Sequence, residues 1–404
     1  MTWNSNWPEI QGMTQLPPSL ESQYLKVLGL AGFASMAAMR IGDPMLVVLS
    51  DEFQVSTGDA SAVVSVYAVV YGFSQLLYGP LGDRFGKLRV VSLAVLACAL
   101  FSAITAMSAH LPMLVIMRGF MGMAGAGIIP LAMAWVGDQV PYERRQETLA
   151  KLMSATVIGM MSGLWFGGFA ADTLGWRSAF VVLSVLFSVA AALLWRLLRR
   201  HPLASASEAP GLLASLRTTG RLLGMPRVRW VLGVTATEGA LVFGSMAFMP
   251  THLHQHYGLS VVAAGSVMML YGVGGLLYSQ MARRWLAWLG ERGLVRTGAG
   301  LIVSGFLLLA WGNMAWMGML ACILTGLGFY MLHNTLQVQA TQMAPAARGT
   351  AVTLFASSLF FGQSTGVLLM AQSVDMGWLA YAFSAAAACV VALGLVVFRV
   401  VGKH

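Results

Sequence analysis

Apolar runs of about 20 residues recur along almost the whole chain, and they constrain its fold more than any other feature. A helix of about that length crosses a hydrocarbon layer of about 30 Å. Of the 404 residues, 58% are hydrophobic and 10% are charged. A soluble protein of this size needs more charge to cover its surface. The sequence therefore predicts an all-α, multi-pass membrane protein.

The apolar runs predict twelve spans in two groups of six. The predicted spans are 26–49, 61–80, 89–109, 112–136, 150–171, 178–198, 229–250, 260–281, 294–311, 316–340, 350–371 and 378–400. The predicted organisation is a tail at 1–25, a first bundle at 26–198, a polar linker at 199–227 and a second bundle at 228–401. Paired leucines at 212–213 and 222–223 predict a short surface helix within the linker.

The net charge of +9 follows from topology and does not indicate nucleic-acid binding. All but three of the 24 Lys and Arg, the exceptions being Arg40, Arg118 and Arg177, fall on one side of a twelve-span topology. Cytoplasmic loops retain positive charge, so this side is predicted to be cytoplasmic, with both termini there. The opposite side carries Asp51, Glu52, Asp59, Asp172 and Asp375. We expect a bacterial inner-membrane protein without a cleavable signal peptide.

The two groups of spans share four short patterns in the same order. The pairs are Tyr71–Tyr78 with Tyr271–Tyr278, Pro141-x-x-Arg144 with Pro345-x-x-Arg348, Gly159-x-x-x-Gly163 with Gly362-x-x-x-Gly366, and Gly175-Trp176 with Gly377-Trp378. Their nearly constant offset indicates a parallel repeat of two bundles, with a binding site between them near the midplane.

The loop after the second span carries the most specific motif. It reads Gly79-Pro-Leu-Gly-Asp83-Arg84-Phe-Gly86-Lys87-Leu-Arg89 and resembles the signature loop of the major facilitator superfamily. The resemblance implies two pseudo-symmetric six-helix bundles and a gating role for this loop, whose charges latch helices in one state. The alternative is a basic turn that only fixes topology. In the second half, Arg283 and Arg284 remain but the Gly and Asp are absent.

Glycines in the fifth span add a more specific resemblance. Gly159, Gly163, Gly167 and Gly168 are similar to the glycine motif of the drug–proton antiporter branch, except that Leu164 stands where that motif has Pro. The resemblance implies proton-driven efflux of a small organic compound, with Gly159 and Gly163 in conformational gating. Glycines at this spacing also allow helices to pack closely.

Three charged residues are predicted to lie at similar depth near the outer side. Arg40 and Asp43 share one face of the first span, roughly 21 and 25 Å from its start, and Arg118 lies about 9 Å inside the fourth span. The resemblance implies that both spans line the central cavity. These residues are candidates for an outer salt bridge, or for proton coupling by Asp43 and substrate binding by Arg40 and Arg118.

Glu238 is the strongest candidate for proton coupling, because a carboxylate near the midplane of a span tends to take up a proton. It is also a candidate substrate ligand; the alternative is a protonated Glu bonded to a neighbouring helix. Histidine is the residue type suited to proton transfer near physiological pH, so His333 in the tenth span is a candidate proton carrier or a bridge between helices. Asn334 and Gln337 share its helix face and are candidate substrate ligands. The predicted apolar wall of the site is Phe243, Met246 and Tyr330.

No motif for a metal or a nucleotide cofactor is present in the sequence. The series His252-x-His254-x-His256 can bind a metal in principle, but its position after the seventh span favours a solvated loop. The chain is therefore predicted to be a transporter rather than an enzyme. We expect it to use the proton gradient as its energy source and to be a monomer, although the sequence does not determine the oligomeric state. Two alternatives are a proton symporter that takes up a small solute or organic anion, and a membrane sensor that does not transport.

Overall fold

The computed structural model describes residues 17–201 and 212–401, and within these ranges the secondary structure is entirely helical. The first 16 residues of the predicted tail and residues 202–211 of the predicted linker lie outside the described residues. The remainder of the linker contains a helix at Leu212–Leu223, hereafter the linker helix, which contacts both bundles.

Within the described residues, eleven helices are long and apolar enough to span a membrane. The first seven are α1 Ser19–Phe53, α2 Thr57–Phe85, α3 Lys87–Ala106, α4 Leu111–Gln139, α5 Arg144–Leu174, α6 Trp176–Arg200 and α7 Pro226–Tyr257. A continuous helix at Val261–Trp311 follows, and the last three are α10 Ala315–Gln342, α11 Pro345–Asp375 and α12 Leu379–Val400.

The helix at Val261–Trp311 has 51 residues and therefore counts as two spans. It would be about 76 Å long if straight, more than twice the thickness of the hydrocarbon layer. Gly290 interrupts it with φ 64° and ψ 177°, which are not helical angles. We number the two parts α8 (261–289) and α9 (291–311). The prediction of twelve helices in two bundles is thereby confirmed.

The helices alternate in direction, so the bundle has two ends of different charge. The acidic end carries Asp51, Glu52, Asp59, Asp172 and Asp375, and the basic end carries the loop between α2 and α3, the junction of α8 and α9, and the linker helix. Contacts of α2 with α11 and of α5 with α8 join the two halves.

The glycine turn missing from the second-half motif is present in the structure at another position. Gly86 between α2 and α3 has φ 90°, and Gly290 between α8 and α9 has φ 64°, both in the region that favours glycine. Because α8 continues about one turn further than α2 before its glycine, aligning the two sequences without a gap does not reveal this equivalence.

Candidate functional site

Helix α1 breaks where its predicted charged pair lies. The α-helical part ends at Arg40, a 3₁₀ turn covers Asp43–Met45, and helix resumes at Leu46. Pro44 within the turn has no N–H to continue the ladder of hydrogen bonds. Arg40 Nη1 lies 3.3 Å from Asp43 Oδ2, and both side chains are almost completely buried. The predicted proximity of these two residues is therefore present, across a broken helix.

Arg118 of α4 binds the broken end of α1 through backbone atoms. Its Nη1 donates to Ala38 O at 2.7 Å, its Nη2 to Met39 O at 3.4 Å, and its Nε to Val63 O in α2 at 3.2 Å. Its guanidinium also lies 4.2 Å from the ring centroid of Tyr67. Carbonyls in the last turn of a helix have no partner within that helix, so Arg118 satisfies groups that the break exposes. This geometry favours a structural role for Arg118.

Glu238 and His333, which the sequence analysis treated separately, form one pair. Glu238 Oε2 lies 2.9 Å from His333 Nδ1, joining α7 to α10. Glu238 is completely buried, whereas His333 retains 15% exposure. The other oxygen, Glu238 Oε1, has no hydrogen bond within the described part of the chain. A buried carboxylate with one free oxygen and a titratable partner can exchange a proton.

The backbone of α7 changes its helical type at this carboxylate. The α-helical part ends at Glu238, and a π-helix covers Gly239–Gly244 before α-helix resumes at Ser245. Single π-turns within α-helices occur frequently at functional sites. The wider turn follows directly after Glu238, so the change of backbone geometry and the candidate proton site coincide.

Aromatic contacts connect the two charged pairs across the halves. The His333 ring stacks on Phe329 with centroids 4.9 Å apart, and Phe329 packs against Phe243 at 4.9 Å. The guanidinium of Arg40 lies 4.3 Å from the centre of the Phe243 ring. A continuous series of contacts thus runs from Glu238 in the second half to Arg40 in the first half. Phe329 was not identified from the sequence.

The other predicted binding residues lie in different environments. The Asn334 amide donates to Tyr330 O in its own helix at 2.7 Å, and Gln337 is exposed near the basic end. Met246 is completely buried, and the Tyr330 ring lies against that of Tyr271 with centroids 6.4 Å apart. The structure therefore brings Phe243 and His333 into the cluster but gives Asn334 an intrahelical partner.

Tyr271 of α8 is a further polar group at the centre that sequence reasoning did not select. Its hydroxyl is buried and has no hydrogen bond among the described residues. Its ring lies near those of Phe329 and Tyr330, with centroids 6.1 and 6.4 Å away. The internal repeat could have indicated Tyr271, because this residue is the counterpart of Tyr71 in the pattern shared by the two halves.

Two of the three histidines at the end of α7 cap a neighbouring helix, and the third, His254, contacts Leu259 O directly after α7. They lie in the helix Ser245–Tyr257 and not in the loop that the sequence analysis favoured. The rings of His252 and His256 stack at 4.9 Å, and their Nε2 atoms lie 2.9 Å from the carbonyls of Leu309 and Gly312 at the end of α9. Within the described ranges no group of three or more metal-ligating side chains occurs.

The signature loop forms its ion pairs within the first half. Lys87 at the start of α3 pairs with Asp138 at the end of α4, and its Nζ lies 3.7 Å from Asp83 Oδ1 in α2. Arg84 lies over the ring of Phe85, and Arg89 lies against Gly86. These pairs join three helices of one bundle at its basic end, a geometry suited to the predicted gating role.

Glycines bring α5 into direct backbone contact with α1. A Cβ added at Gly159 or Gly163 would collide with the backbone of Phe33 or Ala37, respectively. The second half repeats the arrangement, since Gly362 and Gly366 of α11 face the backbone of α7. The glycine spacing noted in the sequence is therefore used for close helix packing in both halves.

Replacing Gly163 with Leu is expected to destabilise the fold by about 3 kcal/mol, because a larger side chain forces α5 away from α1. Thermal unfolding of the purified protein, followed by loss of the monodisperse size-exclusion peak, measures the effect. Gly137→Leu is the matched control, since a Cβ at Gly137 would meet no atom within 4 Å. Equal stability of the two variants would contradict the proposed role of the close approach.

The acidic ends of the two halves are in contact. The backbone N–H of Gly58 at the start of α2 donates to Asp375 Oδ1 at the end of α11, at 2.8 Å. At a second point, Gly168 of α5 lies against Val261 and Gly265 of α8, where an added Cβ would meet backbone atoms. The structure therefore represents a state closed at its acidic end.

Asp375→Ala is expected to shift the population toward states open at the acidic end by about fivefold, because the lost bond is charge-assisted but half-exposed. Electron–electron distance measurements between spin labels at Thr57 and Trp378 report the opening. Asp172→Ala removes a carboxylate at the same end without breaking an ion pair between described residues, and it is the control. Identical distance distributions in the two variants would contradict this role of Asp375.

Comparisons with known proteins agree with this architecture. The family model described as "Major Facilitator Superfamily" matches residues 28–367. The chain is 24% identical to an uncharacterised MFS-type transporter, YwfA of Bacillus subtilis, over 60% of this chain and 59% of that protein. It is 22% identical to a probable sugar efflux transporter of Helicobacter pylori, over 88% of this chain and 90% of that protein.

Among solved structures, the chain is similar to a point mutant of the nucleoside transporter NupG. The TM-score is 0.77 at 17% identity, covering 95% of this chain and 100% of NupG. The likeness at this identity concerns the fold. Because the family model covers more than four fifths of the sequence, and because its members are transporters and not enzymes, the chain belongs to the major facilitator superfamily of membrane transporters.

Proposed function

We propose that the protein is a proton-coupled antiporter that exports a small organic compound by alternating access. The observation that carries the proposal is the contact between Glu238 and His333, 2.9 Å apart and buried between α7 and α10. Intramembrane carboxylates are costly unless they have a function, and this one has a titratable partner. The proposal includes a bacterial inner-membrane location, cytoplasmic termini and a monomer without a cofactor.

In the proposed mechanism, substrate and proton compete for Glu238, and this competition couples transport to the proton gradient. When Glu238 is ionised it pairs with a protonated His333, and when Glu238 takes up a proton this ionic contact weakens. Substrate entering from the basic end displaces the proton, which leaves to the cytoplasm. After the change of access, a proton from the acidic side returns to Glu238 and the substrate departs. One proton therefore moves inward for each outward substrate in this scheme.

The first half takes part through the pair of Arg40 and Asp43. Arg40 contacts Phe243, which belongs to the same helix as Glu238, so a movement of α7 changes the surroundings of the pair. Asp43 Oδ1 has no hydrogen bond within the described chain and is a second candidate for proton uptake. Rocking of the two bundles would separate Arg40 from Phe243 and expose the centre to one side at a time.

The direction of transport rests on two similarities. The glycine pattern of α5 resembles that of drug–proton antiporters, and the relative from Helicobacter pylori is described as a probable sugar efflux transporter. The basic end faces the cytoplasm by the distribution of Lys and Arg. In that orientation, the closed acidic end separates the centre from the outside.

Uptake of an organic anion with a proton is the second candidate function. The observation that favours it is the buried Arg40, whose Nε has no acceptor among the described residues and can bind a carboxylate. In this scheme the anion and the proton enter together from the acidic side, and Glu238 carries the proton. In both schemes Glu238 carries the proton; they differ in the residue that binds the substrate and in the direction of coupling.

Inverted vesicles with an acid interior test the function. We would add dyes, antibiotics, sugars and organic acids separately, and follow the interior pH with a fluorescent probe. Antiport predicts that a substrate discharges the gradient in vesicles containing the protein and not in vesicles without it. Export of a substrate and its proton from the vesicle together would instead indicate uptake in the cell. A protein that binds substrate but gives no flux in either direction would be a sensor.

A further inference from the structure

A lateral groove lies between α7 and α12, on the outside of the second bundle. It has a volume of about 500 Å³ and is lined by Arg229, Trp230, Gly233, Val234, Thr237, Cys389, Ala392, Leu393 and Val396. On each helix these residues follow a helical spacing, so together they form two facing stripes. The volume is within the range of ligand sites, about 300–1,000 Å³.

The groove has an apolar floor and opens toward the bilayer. Gly233 leaves open space where a side chain would project, and Ala392 and Cys389 across from it are small and exposed. From Arg229 to Thr237 the groove runs about 12 Å along α7. An extended hydrocarbon chain lying parallel to the helices would fill this length.

Positive charge is concentrated at the basic end of the groove. Arg229 lies in the first turns of α7, and Arg399 lies in the last turn of α12, one turn beyond Val396 on the same face. Both are exposed, and neither has an ion pair or hydrogen bond with another described residue through its side chain. Trp230, which lines the groove next to Arg229, is a residue type that anchors at the lipid headgroup level.

We propose that this groove is a specific binding site for an anionic phospholipid. One acyl chain lies along the groove between α7 and α12, and the phosphate binds Arg229 and Arg399 at the membrane surface. Basic pockets between transmembrane helices recognise anionic headgroups by this combination of charge and apolar depth. A second transmembrane helix would instead need an apolar face at the position of the two arginines, which have no partner among the described residues. Lipid binding at this groove is independent of proton coupling.

Native mass spectrometry of the purified full chain tests the site. The protein in detergent is offered equal amounts of phosphatidylglycerol and phosphatidylcholine with identical acyl chains. We expect preferential retention of phosphatidylglycerol by the natural sequence. Arg229→Gln with Arg399→Gln is expected to reduce that retention by about fivefold for each arginine, hence about 25-fold together. The control Arg284→Gln removes an exposed charge at the same end, outside the groove, and should leave retention unchanged.

A second variant tests the acyl-chain part of the site independently of charge. Gly233→Leu fills the groove and is expected to reduce retention of phosphatidylglycerol without changing the arginines. Gly300→Leu on α9 is its control, because Gly300 also has open space around it. Equal retention of the two lipids by the natural sequence would overturn the proposal, as would full retention by Gly233→Leu. A dimer that Gly233→Leu dissociates would show that a second copy, not a lipid, occupies the groove.

Discussion

Glu238→Gln is expected to abolish proton-driven transport while leaving the protein folded. Gln has nearly the shape of Glu and can still contact His333, but it neither binds nor releases a proton in the physiological range. Glu238 is completely buried, and among the described residues it is the carboxylate that pairs with His333. We expect substrate-dependent discharge of the gradient in inverted vesicles to fall at least about 100-fold, as for loss of a group that transfers protons.

Glu291→Gln is the matched control for this variant. Glu291 is exposed at the junction of α8 and α9, so the substitution changes the same functional group outside the centre. Vesicles containing Glu291→Gln should discharge the proton gradient at the same rate as vesicles containing the natural protein. If Glu238→Gln also discharges it at the natural rate, antiport remains possible but Glu238 is not the coupling group, and Asp43 becomes the candidate.

Arg118→Met is expected to have the largest effect on stability. The substitution replaces the guanidinium with an apolar side chain of similar length and leaves the carbonyls of Ala38 and Met39 without their donor. The carbonyl of Val63 loses only a second donor, since Val63 lies within the helix of α2. Each unsatisfied buried carbonyl costs about 1–3 kcal/mol. We expect the free energy of unfolding to decrease by about 3 kcal/mol or more, measured by unfolding in a graded detergent mixture and followed by circular dichroism.

The control for Arg118 is Arg217→Met in the exposed part of the linker helix, which should change stability by less than about 0.5 kcal/mol. The variant Arg118→Lys distinguishes the effect of charge from that of hydrogen-bond geometry. It keeps the positive charge, but one ammonium cannot reach three carbonyls as the planar guanidinium does. If Arg118→Met is as stable as the natural protein but no longer binds substrate, the structural interpretation is wrong and the predicted substrate role is supported.

The fold could be predicted from the sequence, because it depends on the length and hydrophobicity of the apolar runs and on the distribution of charge. Runs of about 20 apolar residues identify the spans, and the repeat identifies the two halves. The turn at Gly290 was missed, since α8 continues about one turn further than its counterpart and α9 follows without a loop. The histidines 252–256 were expected in a loop because polar residues after a span favour one. Instead they lie within a helix, from which His252 and His256 cap α9.

The candidate site could be predicted only in part from the sequence. Spacing along one helix correctly placed Arg40 beside Asp43, because residues three apart share a face. No pattern in a single sequence relates Glu238 to His333, which are 95 residues apart and meet only through packing of α7 on α10. The backbone partners of Arg118 were hidden for a similar reason, since they exist only because α1 breaks beside α4.

Proton release on substrate binding is the most direct test of the coupling claim. Purified protein in weakly buffered detergent is mixed with a substrate identified in vesicles, and a pH-sensitive dye records released protons. If substrate and proton compete for Glu238, the natural protein releases roughly one proton per bound molecule, and Glu238→Gln binds substrate but releases none. Equal release by both proteins would contradict the claim that the pair of Glu238 and His333 couples transport to the proton gradient.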